Sequence, residues 1–543
     1  MMQYPLTIPR IRERARTFFP GKEVVTRVPG GTHRCTYREL HERTRRLANV
    51  LEGLGVKAGD RVATFAWNTY RHMEAYWAVP SIGAVLHTVN IRLAPDDLAY
   101  IMNHAEDKVL LIDEDLVPAI EAIADRLETV EHFVVMADKP TISARLPSAH
   151  SYEGLMAEAP PTYRFPDLDE LAPAGLCYTS ATTGRPKGVI YTHRGVYLHS
   201  MMECMTDFIA LSERDVVMAV VPMFHANCWG TPFSAAMVGA NQVLPGVRPD
   251  TRAICELIQQ ERVTVALGVP TIWVGLLDFL QRSGEKYDLS SLRLVVSGGS
   301  AVPPSLIEAY DRVLGVRLAQ AYGMTEATPV VSISNLKSQM DSLTDAEKTD
   351  IRAKQGFLVP GLEMRLVDDA GQELPWDGQE RGELLLRGPW IASEYYNDPR
   401  TAETFRDGWY HTGDIANVDE EGYIQIVDRA RDIIKSGGEW ISSVDLEAAI
   451  IAHPEVLEAA VISIPHPRWQ ERPLACVVPK QRSRGKLSPE QILAHLEGKF
   501  ARWWLPDDVV FLDEIPKTSV GKYDKKVLRE RFRDYIPVGR KEG

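Results

Sequence analysis

The chain has 543 residues, 45% of them hydrophobic and 25% charged, which is too long for a single core and too apolar for a disordered or fibrous protein. Its 61 Lys and Arg stand against 74 Asp and Glu, so the net charge is −13 and nucleic acid is a poor expected partner. Six cysteines, at 35, 177, 204, 228, 255 and 476, show no CxxC or CxxH spacing, which argues against a zinc site or disulfide framework and for a reducing compartment.

In chain order, β-branched runs at residues 61–66, 108–112, 132–136, 216–221, 263–267 and 292–296 read as strands. Helical patterns at 37–54 and 303–314 lie among them. Alternating strands and helices predict an α/β fold with layered, largely parallel sheet. From 356 to 387 short strands at 363–367 and 382–386 are separated by turns, which predicts a small antiparallel β subdomain. Ser488-Pro489-Glu490-Gln491 reads as a capping box opening a helix to about residue 499, inside a small α+β C-terminal domain. The expected division is a large N-terminal domain at 1–428, a hinge at 429–433 and a mobile domain at 434–543. The N-terminus has no signal-peptide core, and the apolar runs are too short to span a bilayer. A cytoplasmic protein without an integral membrane segment is expected.

The densest motif is Tyr178-Thr179-Ser180-Ala181-Thr182-Thr183-Gly184-Arg185-Pro186-Lys187-Gly188, directly after an apolar strand at 174–178. Small and hydroxyl residues let backbone N–H and side-chain O–H groups surround phosphate oxygens, and the cations offset their charge. It is not a Walker A loop, because Pro186 precedes Lys187 and Gly188 follows it.

This string resembles the signature loop of the adenylate-forming superfamily, which comprises acyl- and aryl-CoA ligases, peptide-synthetase adenylation domains and luciferases. Further segments resemble that superfamily in order along the chain: Gln320-Ala321-Tyr322-Gly323-Met324-Thr325-Glu326, Tyr410-His411-Thr412-Gly413-Asp414, Asp428-Arg429-Ala430-Arg431-Asp432 and Pro516-Lys517-Thr518-Ser519-Val520-Gly521-Lys522. Residues 222–229 and 434–442 are most similar to bacterial medium- and long-chain fatty-acyl-CoA synthetases.

The resemblance implies an acid–thiol ligase using ATP, Mg²⁺ and CoA, with an acyl-AMP intermediate. Such a reaction needs no protein nucleophile; it needs two anions held together and charge stabilised at phosphorus. The implied catalytic residues are Lys522, Lys435 and Thr325. The implied nucleotide and CoA contacts are Thr179, Ser180, Thr182, Thr183, Gly184, Lys187, His225, Ala226, Gly298, Gly299, Ser300, Gln320, Ala321, Tyr322, Gly323, Thr325, Asp414, Arg429, Arg431, Lys435 and Trp440. Arg431 stands at the implied pivot, and Gly437 and Gly438 stand where a pantetheine arm would pass. Glu326 and Thr179 are the implied Mg²⁺ ligands, since that ion takes oxygen donors and keeps several waters. The implied acyl pocket is formed by His225, Trp229, Gly323, Met324, Pro329 and Val330, with Val221 and Pro222.

Amino-acid-activating relatives carry an aspartate where His225 stands, which weighs against an amino-acid substrate. A medium- or long-chain fatty acid is the first expectation. A short thioether or branched acid such as 3-methylmercaptopropionate, an acceptor other than CoA, or a catalytically weak nucleotide-binding protein are the alternatives. The last is motivated by Ala181, which replaces a usual glycine. A homodimer is implied by the fatty-acyl branch.

Overall fold

The computed structural model describes residues 2–139, 142–179, 185–429, 432–436, 439–518, 521–533 and 535–537. Among them the β-branched runs form two large sheets. One is ordered Ala149–Ser151, His132–Met136, Asp107–Asp113, Arg61–Phe65, Val85–Thr88, Pro173–Tyr178, Gly188–Thr192. Its strands pair in parallel except for the last two, which pair antiparallel and flank the Thr/Ser-rich segment in sequence. The second is ordered Phe357–Leu358, Val330–Ile333, Arg317–Gly323, Leu294–Gly298, Val265–Gly268, Val216–Ala219, Asn241–Leu244, Glu23–Val28, Gly31–Thr36, parallel in its centre and antiparallel at both ends.

The helix Tyr70–Ser81 is buried along its whole length, and one apolar cluster joins it to residues of both sheets. A helix buried on every side has its place between layers, not at a surface, and here it takes Arg71, His72 and Glu74 inside with it. Tyr37, on the helix Tyr37–Gly53, is fully buried and donates its hydroxyl to the carbonyl of Ala240 at 2.6 Å, which ties that helix to the second sheet.

The strand expected at 292–296 lies two residues later, at Leu294–Gly298, because Ser297 and Gly298 continue the parallel ladder with Gln320 and Ala321. That shift makes Gly298 the last residue of the strand. The helix expected over 303–314 is α-helical at Pro304–Ala309 and then widens into a π-turn, Tyr310–Leu314. The helix capped by Ser488 has the expected capping box with Gln491 but ends at Leu496, short of residue 499.

The antiparallel unit is built from Glu363–Val367, Gly382–Arg387, Phe405–Arg406, Trp409–Val418 and Ile424–Arg429. A smaller C-terminal domain carries a fourth sheet of Ile434–Ser436, Glu439–Ile441, Val456–His466, Gln470–Pro479 and Asp508–Phe511. No helix among the described residues is long and apolar enough to cross a membrane.

Candidate active site

Strand ends from both large sheets, the antiparallel unit and the C-terminal domain meet around a cavity of about 520 Å³, and a second of about 280 Å³ shares part of its wall. Gly299, Ala321, Tyr322, Gly323, Arg429 and Lys522 line both. The larger one brings together Thr179, Lys187, His225, Ala226, Trp229, Gly298, Met324, Thr325, Glu326, Pro329 and Val330 from the expected set. Ser300, Gln320 and Asp414 line the smaller one. Lys435 and Trp440 line neither; they face each other in register across the hairpin of Ile434–Ser436 and Glu439–Ile441, with Lys435 exposed. Ser180, Ala181, Thr182, Thr183, Gly184, Arg431, Gly437 and Gly438 lie outside the described residues.

The phosphate-loop hairpin is closed by reciprocal bonds. Thr179 N–H donates to the carbonyl of Lys187 at 2.9 Å, and Lys187 N–H donates to Thr179 Oγ1 at 3.3 Å. Glu326 is 8% exposed and Oε1 accepts the hydroxyl of Tyr395 at 2.7 Å. Thr325 is held by its carbonyl, which accepts the hydroxyl of Tyr191 at 2.7 Å. The Glu326 carboxylate and Thr179, which line one cavity, offer an all-oxygen donor set, and it fits Mg²⁺ better than a soft metal.

Asp414 is 3% exposed, and both of its oxygens are engaged: Oδ2 by the Tyr322 hydroxyl at 2.6 Å and Oδ1 by Arg429 Nε at 3.2 Å. Two further acceptor positions remain on such a carboxylate. The Asp414 charge raises the pKa of Arg429, and burial raises that of Tyr322, so the pair stays Arg⁺ and phenol. Gln320 does not direct its amide into the cavity. Its Oε1 accepts from Val302 N–H and its Nε2 donates to the Ala353 carbonyl, so only its strand backbone contributes.

Lys522 projects from a tight turn. Thr518 N–H donates to the Lys522 carbonyl at 2.7 Å and Gly521 N–H to the Thr518 carbonyl at 2.9 Å. Its stem crosses Gly299, where an added Cβ would stand 3.1 Å from Lys522 Cε. Burial and the Lys522 charge together push the His225 imidazole down to about 3, so it is neutral at working pH.

The apolar end of the cavity contains a conformation that the sequence did not announce. Ala226, Asn227, Cys228 and Trp229 have φ of 43°, 51°, 54° and 55°, followed by Gly230 at 82°, which makes one left-handed turn. Such residues cost about 1–2 kcal/mol each, so surrounding contacts must enforce the turn. Asn68 fixes the segment that leads into it, with Nδ2 donating to the carbonyls of Ala219 and Val221 and Oδ1 accepting from Met223 N–H, and within the turn the Cys228 carbonyl accepts the hydroxyl of Thr231 at 2.8 Å. The turn lays the Trp229 ring against Gly298, where a Cβ would approach the ring at 3.1 Å. Sequence reasoning missed Asn68 and Tyr395; each is a lone polar residue with no motif of its own, and nothing in the local pattern marks either.

A model described as "AMP-binding enzyme" matches residues 11–396, and one described as "AMP-binding enzyme C-terminal domain" matches 445–522. The chain is 50% identical over 540 residues to a long-chain-fatty-acid–CoA ligase from Thermus thermophilus, covering 98% of this chain and 97% of the relative. It is 43% identical to a medium-chain-fatty-acid–CoA ligase from Ectopseudomonas oleovorans, covering 99% and 98% of the two chains. It is also 43% identical to a 3-methylmercaptopropionyl-CoA ligase from Ruegeria pomeroyi, covering 99% of each. Among solved structures it is similar to the anthranilate CoA ligase AuaEII in complex with anthranoyl-AMP, with a TM-score of 0.86, 28% identity, and 98% and 99% of the chains covered. The motifs, the fold and these matches agree: the chain belongs to the AMP-binding enzyme family of adenylate-forming enzymes and is an AMP-forming acyl-CoA ligase.

Proposed function

We propose that this ligase activates a fatty acid of medium or long chain, using ATP and Mg²⁺, and transfers it to CoA. The observation that carries this reading is the continuity of the larger cavity. One cavity is lined by Lys187 and Glu326, by Lys522, and by Val221, Pro222, Trp229, Met324 and Val330. The charged groups suit a polyphosphate and the apolar ones an acyl chain. A neutral His225 leaves no carboxylate for an α-ammonium at that position, which weighs against amino acids.

In this reading Lys187 and the Thr/Ser-rich loop hold the β- and γ-phosphates, and Thr325 donates to the α-phosphate. Asp414 accepts the ribose hydroxyls in an orientation fixed by Tyr322 and Arg429. The carboxylate of the acid attacks the α-phosphorus, the bond to pyrophosphate breaks, and Lys522 stabilises the added negative charge. Glu326 and Thr179 would hold Mg²⁺, which offsets polyphosphate charge when bound. Residues 1–428 form the fixed lobe, 429–433 the hinge and 434–543 the mobile lobe. Rotation of the mobile lobe withdraws Lys522 and brings Lys435, Trp440 and the Gly437-Gly438 loop to the cavity for thiol attack. A reducing cytoplasmic location accords with six free cysteines. A homodimer is the expected assembly.

A second reading, a short acid such as 3-methylmercaptopropionate, is favoured by the Trp229 ring, which lies against Gly298 within the apolar lining and leaves a short chain less to displace than a long one. AMP release, measured with acids from two to eighteen carbons and with 3-methylmercaptopropionate, each with and without CoA, separates the two. A maximum at eight carbons or more supports the first reading, and one below six overturns it. AMP release that is indifferent to CoA would contradict both.

A further inference from the structure

We propose that Tyr395 is a positioning residue that holds Lys187 and Glu326 apart, so that the ammonium and the carboxylate meet a nucleotide–metal complex instead of each other. This rests on the reading of Lys187 and Glu326 given above. The two groups carry opposite charges and line the same cavity. In a partly desolvated site such a pair attracts strongly, and a direct salt bridge would use up both.

Tyr395 contacts both groups. Lys187 Nζ lies 4.0 Å from the ring centroid, over its face, while the hydroxyl at the far end donates to Glu326 Oε1 at 2.7 Å. The face attracts the cation through its quadrupole, and the hydroxyl fixes one carboxylate oxygen. Burial, reinforced by the Glu326 charge, raises the phenol pKa, so the hydroxyl keeps the proton it donates.

The spacer is itself held on several sides. Tyr395 is 3% exposed, and its ring packs edge-on against Phe405, which stacks on Tyr410. Tyr395 N–H donates to Thr401 Oγ1 at 3.0 Å. The next residue grips the same hairpin, with Tyr396 N–H donating to the Gly188 carbonyl at 2.8 Å. Arg400, held in a fork by Asp398, donates through Nη1 to the Arg185 carbonyl at 3.2 Å. Residues 395–400 therefore fix the descending limb of the phosphate loop at Arg185, Lys187 and Gly188, and fix Glu326 with the same tyrosine.

The hydroxyl and the ring make separable contributions. Tyr395→Phe keeps the spacer and removes the grip on Glu326. Tyr395→Leu removes both. The test titrates Mn²⁺, followed by electron paramagnetic resonance, into each protein with α,β-methylene-ATP, and separately measures nucleotide affinity at saturating Mn²⁺ by calorimetry. Thermal unfolding is recorded in parallel.

Tyr395→Phe is expected to weaken Mn²⁺ binding about 10- to 100-fold, the worth of one hydrogen bond to a charged group, with nucleotide affinity at saturating metal unchanged. Tyr395→Leu is expected to weaken both. Equal binding by all three proteins overturns the assignment. So does an equal weakening of both affinities in the two variants that tracks their loss of thermal stability. If wild-type protein binds no nucleotide, it is the proposed function that fails, and the two failures are thereby told apart.

Discussion

Two lysines of the C-terminal domain, Lys522 and Lys435, carry motifs of the same superfamily, yet the structure treats them differently. Lys522 leaves a turn pinned by Thr518 and reaches across Gly299 into the cavity. Lys435 lies on a hairpin of the same domain, exposed, with its backbone N–H bonded to Glu471. The large lobe, by contrast, presents one preformed arrangement: Glu326 fixed by Tyr395, and Asp414 fixed by Tyr322 and Arg429. Under the proposed function, a fixed cradle with an exchangeable lysine would suit a two-step transfer, since the charge to be stabilised at phosphorus in the first step is gone in the second.

The sharpest way to break the comparison is Lys522→Ala. It should cut acyl-AMP formation about 10²–10³-fold, as expected for removal of a preorganised charge at the reacting centre, while thioester formation from supplied acyl-AMP stays within about 3-fold. Equal losses in both half-reactions would erase the distinction between the lysines. A group of the fixed cradle should not discriminate in this way. Asp414→Asn should weaken ATP binding about 10- to 100-fold by calorimetry, because a charged acceptor is lost beside Arg429, and it should leave the division of labour between the lysines intact. Lys435→Ala should show the mirror pattern at smaller scale, with thioester formation from acyl-AMP reduced about 10-fold and adenylation changed by less than about 3-fold.

The smallest effect probes the wall behind the left-handed turn. Glu203 is fully buried beside Gly230, and desolvation pushes its carboxyl up to about 8. The native state therefore keeps a proton that the unfolded chain releases near 4.5. Stability should be greatest below that value and fall as pH rises toward 8. Glu203→Gln cannot titrate, so its midpoint temperature should fall less over the same range. Parallel pH profiles for the two proteins would contradict this.

Much of the fold was legible because the signals are local. Strands at 132–136 and 363–367 coincide with His132–Met136 and Glu363–Val367, and the Ser488 capping box forms as read. Helix ends were less legible. The one expected to run to residue 499 stops at Leu496, and the one over 303–314 changes type at Tyr310. The end of Leu294–Gly298 was misplaced because a neighbouring strand, distant in sequence, extends the ladder to Gly298.

Site residues inside dense motifs were found through resemblance, and the two cavities gather those among the described residues apart from Lys435 and Trp440. The contacts that hold them were not legible. Tyr395, Asn68 and Arg400 each bind groups more than 60 residues away, and no periodicity or spacing encodes such a contact. The left-handed turn at Ala226–Gly230 was likewise hidden, since four of its five residues are not glycine and only Asn227 among those four is of a type enriched at positive φ.

The central claim is that the large lobe's cradle binds the triphosphate where Lys522 can reach it. Crystals grown with α,β-methylene-ATP and Mg²⁺ test this directly. The account predicts phosphate density between the loop ending at Lys187 and the Glu326 carboxylate, with Lys522 Nζ within about 3 Å of an α-phosphate oxygen. Triphosphate density away from that loop would contradict it.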